Sequence, residues 1–331
     1  MIWKYLHNCL PKEIIGLKKP KLSPPLVLFV LAPAIGELLS GSSPPLEFFN
    51  PIVFFLLASL YGSGAVLMRE LKVRWKKDFR ALLLLGAAYG ILEEGLMVKS
   101  FFDPEWVDLG VLGVYGRWLE VNWVWSEMLV IYHAVFSITI PVVLVELAYP
   151  ERKGESWIGK RTFAGLVVLL AFVTALGYFF LTPYIPPLTH YVLAMFAMFL
   201  LIYIAYKIPL EKQNAKEKKA GKPKLFWTAG LVSTTVFFLL FWAGPSFINT
   251  PIVLMLFGMA FVFGMLKLLD GFDWENPESA PSRLAIVAGA LSFLIFLAFL
   301  HEINGVLGVS LVGLTAIIGL LLLKRKMKAK V

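Results

Sequence analysis

Ten stretches of this 331-residue chain are apolar over roughly 20 residues each, the length a helix needs to cross a bilayer. They cover 25–41, 49–69, 80–99, 122–148, 161–182, 188–207, 226–244, 250–267, 283–301 and 305–323. Backbone in hydrocarbon must satisfy its own hydrogen bonds, and runs of this length do so as helices. The expected fold is therefore all-α, a polytopic transmembrane helix bundle of about ten spans. Composition agrees: 59% of residues are hydrophobic and 16% charged, against roughly half and a quarter in a soluble domain. Pro33 and Glu37 interrupt the first run, and only "HEING" separates the last two.

Basic residues test the count. With ten spans and both termini cytoplasmic, 29 of the 31 Lys and Arg fall on the inner side, leaving only Lys99 and Arg117 outside. Positive residues favour the cytoplasmic side, and dropping one span scrambles the asymmetry. The net charge of +9 then reads as a topology signal, and nucleic acid is not an expected partner. The expected location is the cell membrane. Residues 1–24 carry recurrent lysines and lack a signal-peptide core, so they read as a cytoplasmic or interfacial segment. A six-span region (25–207) precedes a basic cytoplasmic loop (208–225), a four-span region (226–323) and a basic tail (324–331). Anionic lipid head groups are the expected partners of these basic segments. A single cysteine, Cys9, excludes an internal disulfide framework. No phosphate-binding loop, dinucleotide fingerprint or HExxH motif appears.

Intramembrane acids are expensive and mark functional paths. Glu93 and Glu94 sit side by side in "YGILEEGLMVKSFFDPEW", within the third span. His133 lies in the fourth, about 12 Å below Trp125 at ~1.5 Å per residue. Glu37, Glu47 and Glu127, with His190 and His301, fall at comparable or shallower depth on the outer side. The apolar, acidic loop between spans three and four could fold back over them. "GELLSGSSPPLEFFNP" is either a plain loop or a broken helix whose freed backbone binds a ligand. Glu146, beside Arg152 and Lys153, reads as a surface pairing.

A Glu-Glu pair followed 39 residues later by a histidine resembles the CPBP family of intramembrane proteases, relatives of the CAAX-processing and PrsW enzymes. The resemblance implies that Glu93 and Glu94 match the EExxxR pair and His133 the histidine of FxxxH. It implies a glutamate that activates water and histidines that complete a metal or oxyanion site. Val98 stands at the arginine position, with Lys99 one step on, and Leu129 replaces the phenylalanine. His190 with Ala194 and His301 with Asn304 are the candidates for the remaining motif.

Three readings follow. In a metal-assisted hydrolase, Glu93, Glu94 and His133 are catalytic, and His133, His190 and His301 are candidate ligands for zinc. In a proton- or cation-coupled transporter the same acids bind the coupling ion. In a scaffold they only specify helix packing, and the acids lie more than ~10 Å from every histidine, beyond the reach of a shared metal.

Overall fold

The computed structural model describes residues 22–209, 222–274 and 276–329. Most of the N-terminal segment and of the basic loop expected at 208–225 lies outside them. Among the described residues, ten helical rods overlap the apolar runs: α1 (Pro24–Leu39), α2 (Pro51–Arg74), α3 (79–97), α4 (Trp123–Ala148), α5 (Lys160–Phe180), α6 (Leu188–Lys207), α7 (Pro223–Trp242), α8 (Pro251–Asp270), α9 (Ala280–Ile303) and α10 (Val309–Lys328). Seven of these, α2 and α4 to α9, are long and apolar enough to cross a membrane. The other three fall short for local reasons. α1 is about 24 Å long at ~1.5 Å per residue, α3 carries Arg80 and both glutamates, and α10 ends in "KRKMK". The chain is an all-α helical membrane protein.

Alternate rod ends are tied together. At one end Arg74 donates to the Ile158 carbonyl (2.8 Å), Lys77 to Ile208 (2.7 Å) and Lys326 to Ala148 (2.6 Å). At the other, Lys99 donates to the Tyr178 carbonyl (2.6 Å) and the Tyr115 hydroxyl to Ile248 (2.6 Å). At the first of these ends, Lys77 and Lys326 cap the last carbonyls of α6 and α4, where cations are favoured.

Helices α1 to α4 form the inner part of the bundle, around Leu28, Tyr61, Leu85, Tyr89 and Ile138. A second core joins α4 to α7 and α9 through Trp125, Phe237, Phe241 and Leu291. The α7–α9 seam is a double glycine notch. A Cβ on Gly230 would sit 2.1 Å from the Ile286 oxygen, and one on Gly289 only 2.0 Å from the Trp227 oxygen. Small residues let membrane helices approach this closely. α5, α6 and α8 sit outside, with Phe180, Phe196 and Phe257 exposed, as lipid-facing helices would be.

At the basic end, Glu146 departs from the surface pairing expected of it. It is buried, 3.1 Å from Lys72 Nζ and 3.5 Å from Arg69 Nε. Arg69 is fully buried, donates to the carbonyls of Lys153 and Glu155 (both 2.6 Å), and stacks on Trp157 at 3.6 Å. Arg152, which the sequence paired with Glu146, instead faces Glu155. The ions are buried because the 150–158 turn folds back onto the end of α2.

Candidate functional site

Four segments among the described residues are π-helical, and each carries a residue of one polar cluster. They are Ala34–Leu39 with Glu37, Ala58–Gly62 with Tyr61, Ile91–Met97 with Glu93 and Glu94, and His133–Thr139 with His133 and Ser137. A π-turn inserts one residue into a helix and re-aims the side chains around it, and such bulges are frequent at functional sites. Here four of them turn polar groups of α1 to α4 towards a shared centre.

His133 is the hub. Its Nε2 lies 3.0 Å from Glu94 Oε1, and its Nδ1 lies 2.9 Å from Ser137 Oγ and 3.3 Å from Glu93 Oε2. Ser100 donates to the second oxygen of Glu94 and in turn accepts from Trp125 Nε1 at 3.0 Å. Tyr61 donates to Glu37, and Tyr132 to the Gly36 carbonyl at 2.7 Å. Three tyrosine rings surround the imidazole, with centroids 5.5 Å (Tyr132) and 6.1 Å (Tyr61 and Tyr89) away. His133 and Glu93 are buried. The Tyr89 hydroxyl is buried and faces the Glu93 carboxylate, whose Oε2 is buried with only the 3.3 Å contact to His133 beside it.

Glycine makes this packing possible. A Cβ on Gly64 would meet the Tyr89 ring at 2.2 Å, and one on Gly86 would meet the Ala134 Cα at 2.8 Å. The helices therefore close directly onto the tyrosines and onto the turn that carries His133.

The loop between α3 and α4 folds back over the cluster, as its apolar composition suggested. Phe101, Phe102, Leu109 and Leu112 are buried, and a two-strand hairpin, β1 (Arg117–Trp118) with β2 (Val121–Asn122), closes it. Asp108 in this loop feels the site: partial desolvation, although its side chain still reaches solvent, and then the charge of Glu94 push its carboxyl above the usual aspartate value. Lys99 points away, to the carbonyls of Tyr178 and Thr182 at the end of α5. It does not stand in for the arginine of the EExxxR pattern.

Glu93, Glu94 and His133 are thus brought together, while His190 and His301 are not. His190 Nε2 bonds the Leu119 carbonyl at 2.8 Å and packs on Phe102. His301 lies against Gly41, whose added Cβ would fall 2.5 Å from its Nδ1. The expected ligand set of His133, His190 and His301 does not form, because α6 and α9 place their histidines at rod ends. Among the described residues one group could hold a metal, Glu93, Glu94 and His133, with ligand atoms all within 4.8 Å of one another. Glu127 faces Gly258 of α8, its two oxygens buried without a hydrogen bond.

Sequence reading missed Tyr61, Tyr89 and Tyr132. The available signal was a repeated Tyr-Gly pair, at 61–62 and 89–90, and the tyrosine directly before His133.

Comparison with known proteins places the region that carries this site. Residues 26–159, which span α1 to α4, match the model of a family described as an uncharacterized membrane protein family. No curated protein and no solved structure matches the chain.

Proposed function

We propose that this protein is an intramembrane hydrolase in which Glu93, Glu94 and His133 hold a metal ion. The observation that carries the reading is the convergence of three ligand atoms within 4.8 Å on buried helices. The residues fit such an ion. Nitrogen and carboxylate donors suit zinc, and three protein ligands that leave a position open are the pattern of catalytic rather than structural zinc sites. Glu93 Oε2, buried with only a long 3.3 Å contact to His133 Nδ1, is an acceptor with capacity left for a cation. Bound there, the metal would supply Lewis-acid polarisation and an activated water.

The chain's own groups supply the rest. Glu37, held by the Tyr61 hydroxyl, is the base that takes a proton from water as its oxygen bonds to the scissile carbonyl carbon. The Tyr89 hydroxyl, which faces Glu93, is a donor that can turn to the oxygen that gains charge in that step. Ser137 bonds His133 Nδ1 and Ser100 bonds Glu94, which fixes the orientation of both ligands. The proton on Glu37 then passes to the leaving group as the bond breaks. The topology of this reading is ten spans with both termini cytoplasmic, which puts the cluster in the outer half. The parallel with the CPBP proteases rests on Glu93, Glu94 and His133 alone.

Metal analysis of purified protein tests the reading. The expectation is about one zinc per chain, lost in Glu94→Gln and His133→Gln. Metal-free protein whose zinc affinity is the same in both variants would overturn it.

One observation favours a second reading, an ion-coupled carrier. α1 stops short of a full span, with Glu37 in its last turn before the Ser-Gly loop at 40–43. Under this reading Glu37→Gln abolishes pH-dependent solute uptake into proteoliposomes, and zinc plays no part. The scaffold reading required acid–histidine separations above ~10 Å; Glu94 and His133 are 3.0 Å apart.

A further inference from the structure

A cavity of about 700 Å³ lies among α3, α4, α6, α7, α8 and α9, separate from the carboxylate–histidine cluster. The close α3–α4 seam at Gly86 and Ala134 stands between the two. α8 meets α4 near Glu127 and Gly258, and its last three turns, from Phe261 to Asp270, form one wall of the cavity. The walls are almost wholly apolar, and the volume is that of a typical ligand site, ~300–1,000 Å³.

The few charged groups of the lining are Arg80, Lys267 and Asp270, with Trp274 the one indole. Arg80 is paired with Asp78 at 2.7 Å and reaches the Pro209 carbonyl, while Lys267 and Asp270 stand three residues apart on α8, on one face of the helix. Trp274 packs on Phe79 with ring centroids 5.2 Å apart, and Lys267 lies over the Phe263 ring. Asp270 Oδ1 is buried and makes no hydrogen bond. An acceptor left bare one turn from a lysine is complementary to a group that carries both charges. Tryptophan at the head-group level is the usual membrane-interface anchor.

We infer that this cavity binds a phospholipid with an amine-bearing head group, one acyl chain inside, its phosphate at Lys267 and its ammonium donating to Asp270. Choline has no N–H to give Asp270, and glycerol has no positive charge, so an ethanolamine-type head group fits best. The inference is independent of the hydrolase reading and needs no metal.

Native mass spectrometry of delipidated full-length protein, incubated with phosphatidylethanolamine, phosphatidylcholine or phosphatidylglycerol, provides the test. Phosphatidylethanolamine should be retained at one per chain with a preference of roughly tenfold, the scale of a hydrogen bond between charged groups. Asp270→Asn should remove the preference for ethanolamine over choline. Leu83→Trp and Leu266→Trp, each filling the cavity from a half-buried position, should lower retention of all three. Either filling variant is scored only if it remains monodisperse, and Asp270→Asn serves if both fail. Equal retention of the three lipids by the wild type would overturn the head-group assignment. Retention undiminished in a folded filling variant would overturn the cavity as the binding site.

Discussion

His133 Nε2 lies 3.0 Å from Glu94 Oε1, although 39 residues separate them and each sits on its own π-helical segment. The contact couples two helices at the centre of the bundle. Breaking a buried pair from one side leaves the other group stranded. Glu94→Ala and His133→Ala are each expected to cost about 3 kcal/mol, while the double variant costs less than their sum by roughly 0.5–3 kcal/mol. Thermal unfolding in detergent of the three variants measures this. Strict additivity would mean the two groups do not act as a unit.

The tyrosine cage depends on glycine. Gly64→Ala drives a methyl into the Tyr89 ring, which is fully buried and has no room to retreat. Overpacking of this sort costs about 1–3 kcal/mol. Gly165→Ala on α5, where an added Cβ meets nothing within 4 Å, is the control and should be neutral or slightly stabilising. Melting temperatures of the pair give the comparison.

Arg69 holds the turn after α4 against α2. Arg69→Met keeps the apolar stem but strands the Lys153 and Glu155 carbonyls and leaves Glu146 to Lys72 and Glu70 to Arg74, Ser156 and the Trp157 amide. The expected loss is about 1–3 kcal/mol, the cost of buried acceptors left without a donor. Limited proteolysis should then cut within 150–158 well before any other described loop.

The β1–β2 hairpin turns on Leu119 and Glu120, both at positive φ (50° and 58°) and both on the surface. Side chains in the left-handed region cost roughly 1–2 kcal/mol each, and Asn-Gly is the preferred pair for such a turn. Leu119→Asn with Glu120→Gly should therefore raise the melting temperature. The hydrogen bond from His190 involves only the backbone of Leu119 and survives the exchange.

Asp108 gives a pH signature. Its carboxyl is raised by partial desolvation and then by Glu94, so the folded state binds its proton more readily than the unfolded chain does. Such a group weakens the fold at high pH, and the loss is relieved as pH falls through the raised value. In metal-free protein, Asp108→Asn should be more stable than the wild type at about pH 8, with the difference closing by about pH 4. A difference that is constant across that range would contradict the assignment.

How much could be read in advance varies by element. The rods were legible because a helix in lipid needs a long apolar run and almost nothing else. Even α1 and α3, with their internal charges, were visible as interruptions of such runs. The acids and His133 were legible as residues that lipid would not tolerate unpartnered. Glu146 was misjudged because proximity in sequence to Arg152 and Lys153 says nothing of how a turn folds back. His190 and His301 were drawn in by depth alone, which a sequence reveals while azimuth around the bundle stays hidden.

Hydropathy and charge alone determined an all-α membrane chain with its rods in their places, since both depend only on local composition. The tertiary structure decided which polar residues meet. Four π-turns rotate their side chains off the regular helical register, and glycines let the rods close around them. Neither the extra residue of a π-turn nor the rotation of one helix against another is encoded in hydropathy. Those two features turn Glu37, Tyr61, Glu93, Glu94 and His133, scattered over four helices, into one cluster.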